Sequence, residues 1–198
     1  MALVYLELVP RERDAFERKV RAISSRLGIN PDWLMIVMRF ETGGKFLPGV
    51  YASSGAVGLI QFTTAGASMV GTTKSYLATL TAVQQLDWVE KYFVAWKAAG
   101  RMKSLEDVYT IVFAPAYLGR DPATVIHRKG TTAYSANAAL DREKKGYITL
   151  ADVQSVIRRY VPTGYVEQAA GVGLGLAVAL AGGYWLYQRH RKNQTQEA

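Results

Sequence analysis

Cysteine is absent from this 198-residue sequence, and histidine and acidic residues are scarce. Without cysteine the chain can form neither a disulfide, nor a thiol nucleophile, nor a zinc–thiolate site. The two histidines, His127 and His190, are too few and too far apart in the chain to indicate a metal site. The 24 basic and 16 acidic residues leave a formal charge of +8, which suits contact with anionic lipid, cell-wall polymer or nucleic acid.

Acidic residues are missing altogether from Thr42 through Leu86, directly after Glu41. A single Glu in a helix is ordinarily a solvated surface residue, but Glu41 ends an almost wholly apolar segment. Burial there would raise its pKa and keep the carboxyl group protonated near neutrality. Glycoside hydrolysis usually requires two carboxylates. An isolated Glu therefore favours a mechanism with one acid, unless Asp87 or Glu90 folds back against it.

Helical periodicity dominates the first 160 residues. An amphipathic pattern runs to Gly28, and Asn30 followed by Pro31 is a strong signal for the start of a second, largely apolar helix. Strict alternation with a period of two is rare, so we expect the fold class to be all-α. The expected helices are 10–27, 31–41, 81–99, 104–119, 123–127, 132–140 and 149–160.

An uncharged run of 18 residues, 169–186, lies near the carboxyl terminus. As a helix it would be about 27 Å long, close to the hydrocarbon thickness of a bilayer. Aromatic residues at its end and basic residues beyond it are typical of a membrane interface and its cytoplasmic side. We expect a single transmembrane helix here, with a glycine-rich core helix as the alternative. A ridge of small residues would permit close helix packing: Gly171, Gly175, Ala179 and Gly183.

These patterns predict four parts: a domain over 1–160, a linker over 161–168, a transmembrane helix over 169–187 and a basic polar tail over 188–198.

Two motifs in the first part resemble those of soluble lytic transglycosylases. They are Glu41-Thr42 and, twenty residues on, the run SGAVGLIQF from Ser54 to Phe62. The resemblance extends from Phe16 to about Tyr160 and is greatest to phage-encoded members of the family. It implies a goose-type-lysozyme-like helical domain followed here by the C-terminal membrane helix.

The resemblance also implies a chemistry. The substrate would be the glycan strand of peptidoglycan, cut between N-acetylmuramic acid and N-acetylglucosamine with closure of a 1,6-anhydro ring. Glu41 would act first as general acid and then as general base, and no cofactor would be required. Ser54, Gly58 and Gln61 would contact the sugar, since glycine allows close approach of the backbone and Gln61 offers both a donor and an acceptor.

Two tyrosines complete the expected site. Ala116-Tyr117-Leu118-Gly119 matches the family's third motif in part, with Leu118 in place of its Asn. A late tyrosine that supports the catalytic Glu in the family corresponds to Tyr134. Which of Tyr117 and Tyr134 supports Glu41 is left open. Thr42 replaces the usual Ser and preserves the hydroxyl group.

The segment 141–152 has the outline of an EF-hand loop, with an acid at its first and last positions and Gly at its sixth. Lys145 stands at position five, where a calcium ligand would be required. We therefore interpret the loop as a degenerate one, with Asp141, Glu143 and Asp152 as its remaining candidate ligands, and expect no firmly bound metal.

The main functional hypothesis is a membrane-anchored lytic transglycosylase, a phage virion component that opens the cell wall during genome entry. The first residues do not resemble a secretory signal, so we expect delivery by another route. The expected location is a virion internal membrane or the bacterial envelope, with one span.

The expected partners are peptidoglycan glycan strands, a lipid membrane, and other virion membrane proteins or a second copy through the small-residue ridge. Nucleic acid is not expected, because the basic first helix lacks clustered aromatic residues. Two alternatives are a lysozyme that uses Glu41 with water, and a non-catalytic virion membrane or channel protein with a lysozyme-like scaffold.

Overall fold

Helices provide most of the regular structure of residues 2–166, the part of the chain that the computed structural model describes. A two-stranded antiparallel sheet accompanies them. The elements are α1 (Arg13–Leu27), α2 (Pro31–Glu41), α3 (Thr64–Met69), α4 (Lys74–Thr79), α5 (Ala82–Ala95), α6 (Leu105–Phe113), β1 (Val125–Arg128), α7 (Thr132–Ala136), β2 (Tyr147–Thr149) and α8 (Leu150–Arg158). Short 3-10 turns occupy Leu6–Leu8, Pro115–Tyr117 and Ala138–Leu140.

Helix α1 confirms the amphipathic pattern. Phe16, Val20, Ile23 and Leu27 are buried along one face, which packs against α2 and α5. Gly28 ends the helix in the left-handed conformation (φ 70°), and its amide donates to carbonyls of the last turn. Glycine adopts this conformation without the penalty that a Cβ imposes.

Helix α2 is central to the domain and carries Glu41 as its last residue. The side chain of Asn30 accepts a hydrogen bond from the amide of Asp32, and Pro31 follows at the first helical position, as the sequence predicted. The run 34–38 is fully buried, because α2 packs against α1, α6 and α8. A helix that is apolar on nearly every side requires such an interior position.

The expected helix over 123–127 is wrong. Residues Val125–Arg128 form β1 and pair antiparallel with β2, with His127 opposite Ile148. Two consecutive β-branched residues, Val125 and Ile126, favour a strand over a helix of this length. The expected helix over 132–140 is a short helix followed by a 3-10 turn, and the expected helix over 149–160 is α8.

The expected fold class is therefore corrected on two points. The described part of the chain is mostly helical but not all-α, since it contains the β1–β2 sheet. Within residues 2–166 no helix is long and apolar enough to cross a membrane. The longest, α1, has 15 residues, whereas a span requires about 20 apolar ones. The expected span at 169–187, its small-residue ridge and the tail beyond lie outside the described residues.

Phe16 provides a test of the packing between α1 and its neighbours. Its ring is fully buried and meets the edge of Phe46 with ring centroids 6.1 Å apart. Replacing Phe16 by Ala leaves a cavity, so we expect the free energy of unfolding to fall by about 3–5 kcal/mol in urea titrations. Val94→Ala, at a side chain that is 56% exposed, serves as the control and should change it by less than about 0.5 kcal/mol. Equal losses in the two variants would contradict this packing.

Candidate active site

Glu41 lies at the carboxyl end of α2 with its side chain partly buried. Within residues 2–166 its carboxyl group has neither a hydrogen bond nor an ion pair. Burial without such compensation penalises the charged form and raises the pKa of Glu41 to about 8. The carboxyl group is therefore mostly protonated at neutral pH, as the sequence pattern had indicated.

Two buried tyrosines lie within electrostatic range of Glu41, and sequence reasoning did not place either of them in the site. The charge of Glu41 contributes to the raised pKa of Tyr92 on α5 and of Tyr109 on α6, after the larger effect of burial in each case. The ring of Tyr109 also meets the edge of Phe40, with centroids 5.4 Å apart. Both tyrosines lie on apolar helix faces, where they look like ordinary core residues. Their spacing therefore carries no signal that separates them from the core.

No second carboxylate acts on Glu41 within the described residues, since burial is the only cause of its raised pKa. Asp87 and Glu90, the two acids that had to be considered, turn towards α1. There Asp87 pairs with Lys19 at 2.8 Å, and Glu90 pairs with Arg26. The site therefore offers one acid to a substrate.

Thr42 fixes the turn that follows Glu41. Its hydroxyl group donates to the carbonyl oxygen of Met38 at 2.7 Å and accepts from the amide of Phe46 at 3.0 Å. The residue is almost fully buried, so water cannot replace either bond. This explains why a hydroxyl residue stands beside Glu41, and why Thr performs the role expected of Ser.

Residues 50–62 form a compact loop, which we call the glycine loop. Val57 bridges to both Tyr51 and Phe62, and the amide of Gly58 donates to the carbonyl of Val50 at 2.9 Å. Gly58 has a φ of 85°, and a Cβ at this position would overlap the side-chain amide of Gln85. Only glycine therefore fits here, but packing within the protein supplies the reason, in addition to any approach by a sugar.

The glycine loop meets α5 at Tyr92. The rings of Phe62 and Tyr92 meet edge to face with centroids 5.7 Å apart. Tyr92 therefore packs against the loop, and it lies within electrostatic range of Glu41.

Gln61 is used differently from the expectation that both its polar atoms would face a ligand. Its Nε2 atom donates to the carbonyls of Val50 (3.2 Å) and Gly58 (2.9 Å), inside the loop. Its Oε1 atom is buried and has no hydrogen-bond partner within residues 2–166. The Oε1 acceptor is therefore unpaired, although the protein encloses it. The backbone of Gln61 is left-handed (φ 51°), which is uncommon for residues other than glycine.

The remaining predicted residues are more peripheral. Ser54 is exposed, and its hydroxyl accepts a long hydrogen bond of 3.5 Å from the amide of Ala56. Tyr117 is partly buried at the end of the 3-10 turn after α6. The hydroxyl group of Tyr134 donates to Asp141 at 2.8 Å and so does not serve Glu41 in this structure.

The EF-hand-like segment 141–152 is held by hydrogen bonds and an internal ammonium group. The Nζ atom of Lys145 lies 3.0 Å from each carboxylate oxygen of Asp152 and 3.7 Å from Glu143. The carboxylate of Asp141 accepts two backbone amides of the loop as well as the hydroxyl of Tyr134. Within the described range no group of three His, Cys, Asp or Glu residues could hold a metal ion.

A surface groove of about 730 Å³ lies along α4 and α5. Its two acids, at positions 87 and 90, are those already paired with α1. The ammonium group of Lys91 lies 3.9 Å from the ring centroid of Trp88 and covers that ring. The groove therefore offers no uncompensated reactive group, and Glu41 remains the candidate.

Comparison of the chain with protein-family models, with curated proteins and with solved structures finds no match in any of the three. The resemblance to soluble lytic transglycosylases consequently rests on the motifs, and function is argued from the site.

The pKa of Glu41 predicts how stability depends on pH. Between its ordinary value of 4.5 and about 8, the unfolded chain is ionised at Glu41 while the folded protein is not. The free energy of unfolding should therefore fall as pH rises through this window, by up to about 1.4 kcal/mol per pH unit from this group, and level off above it. Glu41→Gln removes this pH dependence. The difference between the free energies of unfolding of wild type and variant, measured in urea from pH 4 to 9, therefore isolates the contribution of Glu41. A difference that does not change with pH would contradict the raised pKa.

The hydroxyl group of Thr42 can be tested by two substitutions of similar size. Thr42→Val leaves the buried amide of Phe46 without an acceptor and should lower the free energy of unfolding by about 1–3 kcal/mol. Thr42→Ser keeps both hydrogen bonds and should lose clearly less. If the Ser variant is the less stable of the two, packing of the methyl group matters more than the hydrogen bonds.

Proposed function

We propose that this protein is a peptidoglycan lytic transglycosylase with Glu41 as its catalytic residue. One feature carries the proposal: the partly buried carboxyl group of Glu41 has a pKa raised to about 8, and no other carboxylate acts on it within the described residues. A glycosidase of the usual kind requires a second carboxylate as nucleophile or base. A transglycosylase that uses a hydroxyl group of its own substrate does not.

The reaction balances with one protein acid. Glu41 donates its proton to the glycosidic oxygen as the bond between that oxygen and C1 of N-acetylmuramic acid breaks. The 6-hydroxyl of the same sugar then attacks C1 and returns its proton to the Glu41 carboxylate. The products are a 1,6-anhydromuramic end and a free 4-hydroxyl on the N-acetylglucosamine. The substrate's acetamido group, rather than a second carboxylate, would stabilise the cationic intermediate.

The surroundings of Glu41 support this cycle physically. A general acid works best when its pKa lies near the working pH, and burial beside Tyr92 and Tyr109 raises the pKa of Glu41 to about 8. The formal charge of +8 favours association with an anionic wall polymer.

Assignment to a phage virion that opens the wall during genome entry is part of the proposal, and rests on the motif resemblance alone.

Product analysis tests the proposal directly. Purified peptidoglycan incubated with the 198-residue protein should release muropeptides with 1,6-anhydromuramic ends, detectable by mass spectrometry. Glu41→Gln should reduce their release by at least about a thousandfold, since it removes both acid and base. Glu7→Gln, at an exposed residue, is the control and should leave release unchanged.

Each other outcome has a defined meaning. Reducing muramic ends in place of anhydro ends would assign a lysozyme that uses water. Absence of any release, or equal release by Glu41→Gln, would overturn the catalytic assignment and favour a binding scaffold.

A further inference from the structure

Gln85 of α5 is a fully buried polar residue that the catalytic proposal does not use. Its Oε1 atom accepts from the amide of Leu59 at 2.6 Å. Its Nε2 atom donates to the carbonyls of Pro48 (3.1 Å) and Leu77 (2.8 Å). One side chain thus joins the segment just before the glycine loop, the inside of the loop, and the end of α4.

The loop is built tightly around this amide. Gly58 adopts a φ of 85° with its Cα against the Gln85 side chain, where a Cβ has no room. The next residue, Leu59, donates to Gln85, and Gln61 follows two residues later. A displacement of the Gln85 amide would therefore move the backbone that carries Gln61.

A second residue of α5 also contacts the glycine loop. Tyr92, seven residues further along α5, lies on the same helix face as Gln85, contacts Phe62 and lies within electrostatic range of Glu41. Helix α5 therefore contacts the loop at two places, through Gln85 at Leu59 and through Tyr92 at Phe62.

We infer that Gln85 is a positioning residue, whose three hydrogen bonds hold the glycine loop in register with Glu41. The inference rests on the proposed function for its catalytic consequence, but not for its structural one. Gln85 acts through the loop and has no contact with the reacting atoms.

The chemistry of the position requires an amide. It must accept from one N–H group and donate to two carbonyl oxygens at the same time, without charge and without water. A carboxylate of the same shape would face Pro48 and Leu77 with negative charge. A protonated carboxyl group keeps the acceptor for Leu59 and supplies one of the two donors. The variant Gln85→Glu should therefore be defective when ionised and partly repaired when protonated.

This pH dependence separates positioning from a general loss of stability. We would compare wild type, Gln85→Glu and Gln84→Glu in the full chain at pH 5 and pH 9, because buried glutamates can have pKa values of about 8–9. Gln84 is the matched control because it is the neighbouring glutamine, is exposed, and accepts from the Thr81 amide, which a glutamate also does. Two readouts apply: hydrogen exchange of the Leu59 amide, and release of anhydromuropeptides from purified peptidoglycan. Circular dichroism at each pH selects conditions in which every variant is folded.

For Gln85→Glu at pH 9 we expect Leu59 exchange to be at least about tenfold faster than in wild type, and peptidoglycan cleavage to fall by a similar factor. The reason is that repulsion between the carboxylate and the carbonyls of Pro48 and Leu77 displaces the side chain and weakens its bond to Leu59. At pH 5 both ratios to wild type should recover, because protonation removes the buried charge. The Gln84→Glu ratios should stay flat. Gln85→Asn, which is neutral but shorter, should be defective equally at both pH values.

Two results would overturn the inference: unchanged Leu59 exchange in Gln85→Glu at pH 9, or faster exchange with wild-type cleavage. If Gln85→Glu is unfolded at pH 9, Gln85→Asn decides the matter at pH 5 by the same two readouts. If wild type itself releases no muropeptides, the proposed function fails. The exchange measurement then still decides whether Gln85 holds the loop, so the two failures are distinguishable.

Discussion

Desolvation of one carboxyl group is the constraint on which the rest of the site depends. Glu41 can stay protonated at neutral pH only if water and compensating charges are kept from it. Helix α2 provides this condition by ending inside the domain, between neighbours on α5 and α6 that contribute phenol rings and no cations. The cost is a lower free energy of unfolding, which falls as pH rises from the unfolded to the folded pKa of Glu41 and stays low above it. Such a cost is common where a group is retained for reactivity.

The glycine loop is the second closely packed feature of the candidate site, besides the Glu41 carboxyl group. Its backbone is folded on itself through Val57, hydrogen-bonded to Gln85, and packed through Phe62 against Tyr92, which lies within electrostatic range of the acid. The loop therefore does not depend on its glycines being flexible. Gly58 is required because the loop packs closely against Gln85. The Nε2 donor of Gln61 is used inside the loop, and its Oε1 acceptor has no partner within the described residues.

Sequence reasoning succeeded where a pattern reports burial directly. The apolar stripe of α1, the Asn30–Pro31 start of α2 and the raised pKa of Glu41 all follow from residues close together in the chain. It failed where tertiary contacts decide. The segment 123–127 is too short for periodicity to separate helix from strand, and its pairing partner lies about 20 residues away. Helices α3 and α4 have six residues each and too few apolar positions to show a period.

The residues of the candidate site also fall into those with a local sequence signal and those without one. Glu41 and Gln61 were identified because their motifs are local, but Tyr92, Tyr109 and Gln85 come from helices that carry ordinary core patterns. A buried glutamine that bonds to three backbone groups cannot be distinguished in sequence from its exposed neighbour Gln84. The resemblance left open whether Tyr117 or Tyr134 supports Glu41, and in the structure the hydroxyl group of Tyr134 donates to Asp141, seven residues further along the chain.

The proposed one-acid mechanism depends most directly on the protonation state of Glu41. Carbon-13 NMR of the protein labelled at glutamate carboxyl carbons measures it, with the Glu41 signal assigned by its loss in Glu41→Gln. Because burial disfavours the charged carboxylate, we predict that this signal titrates with a pKa of about 8. A pKa between 4 and 5 would mean that Glu41 is ionised at neutral pH, and would contradict its role as a lone general acid.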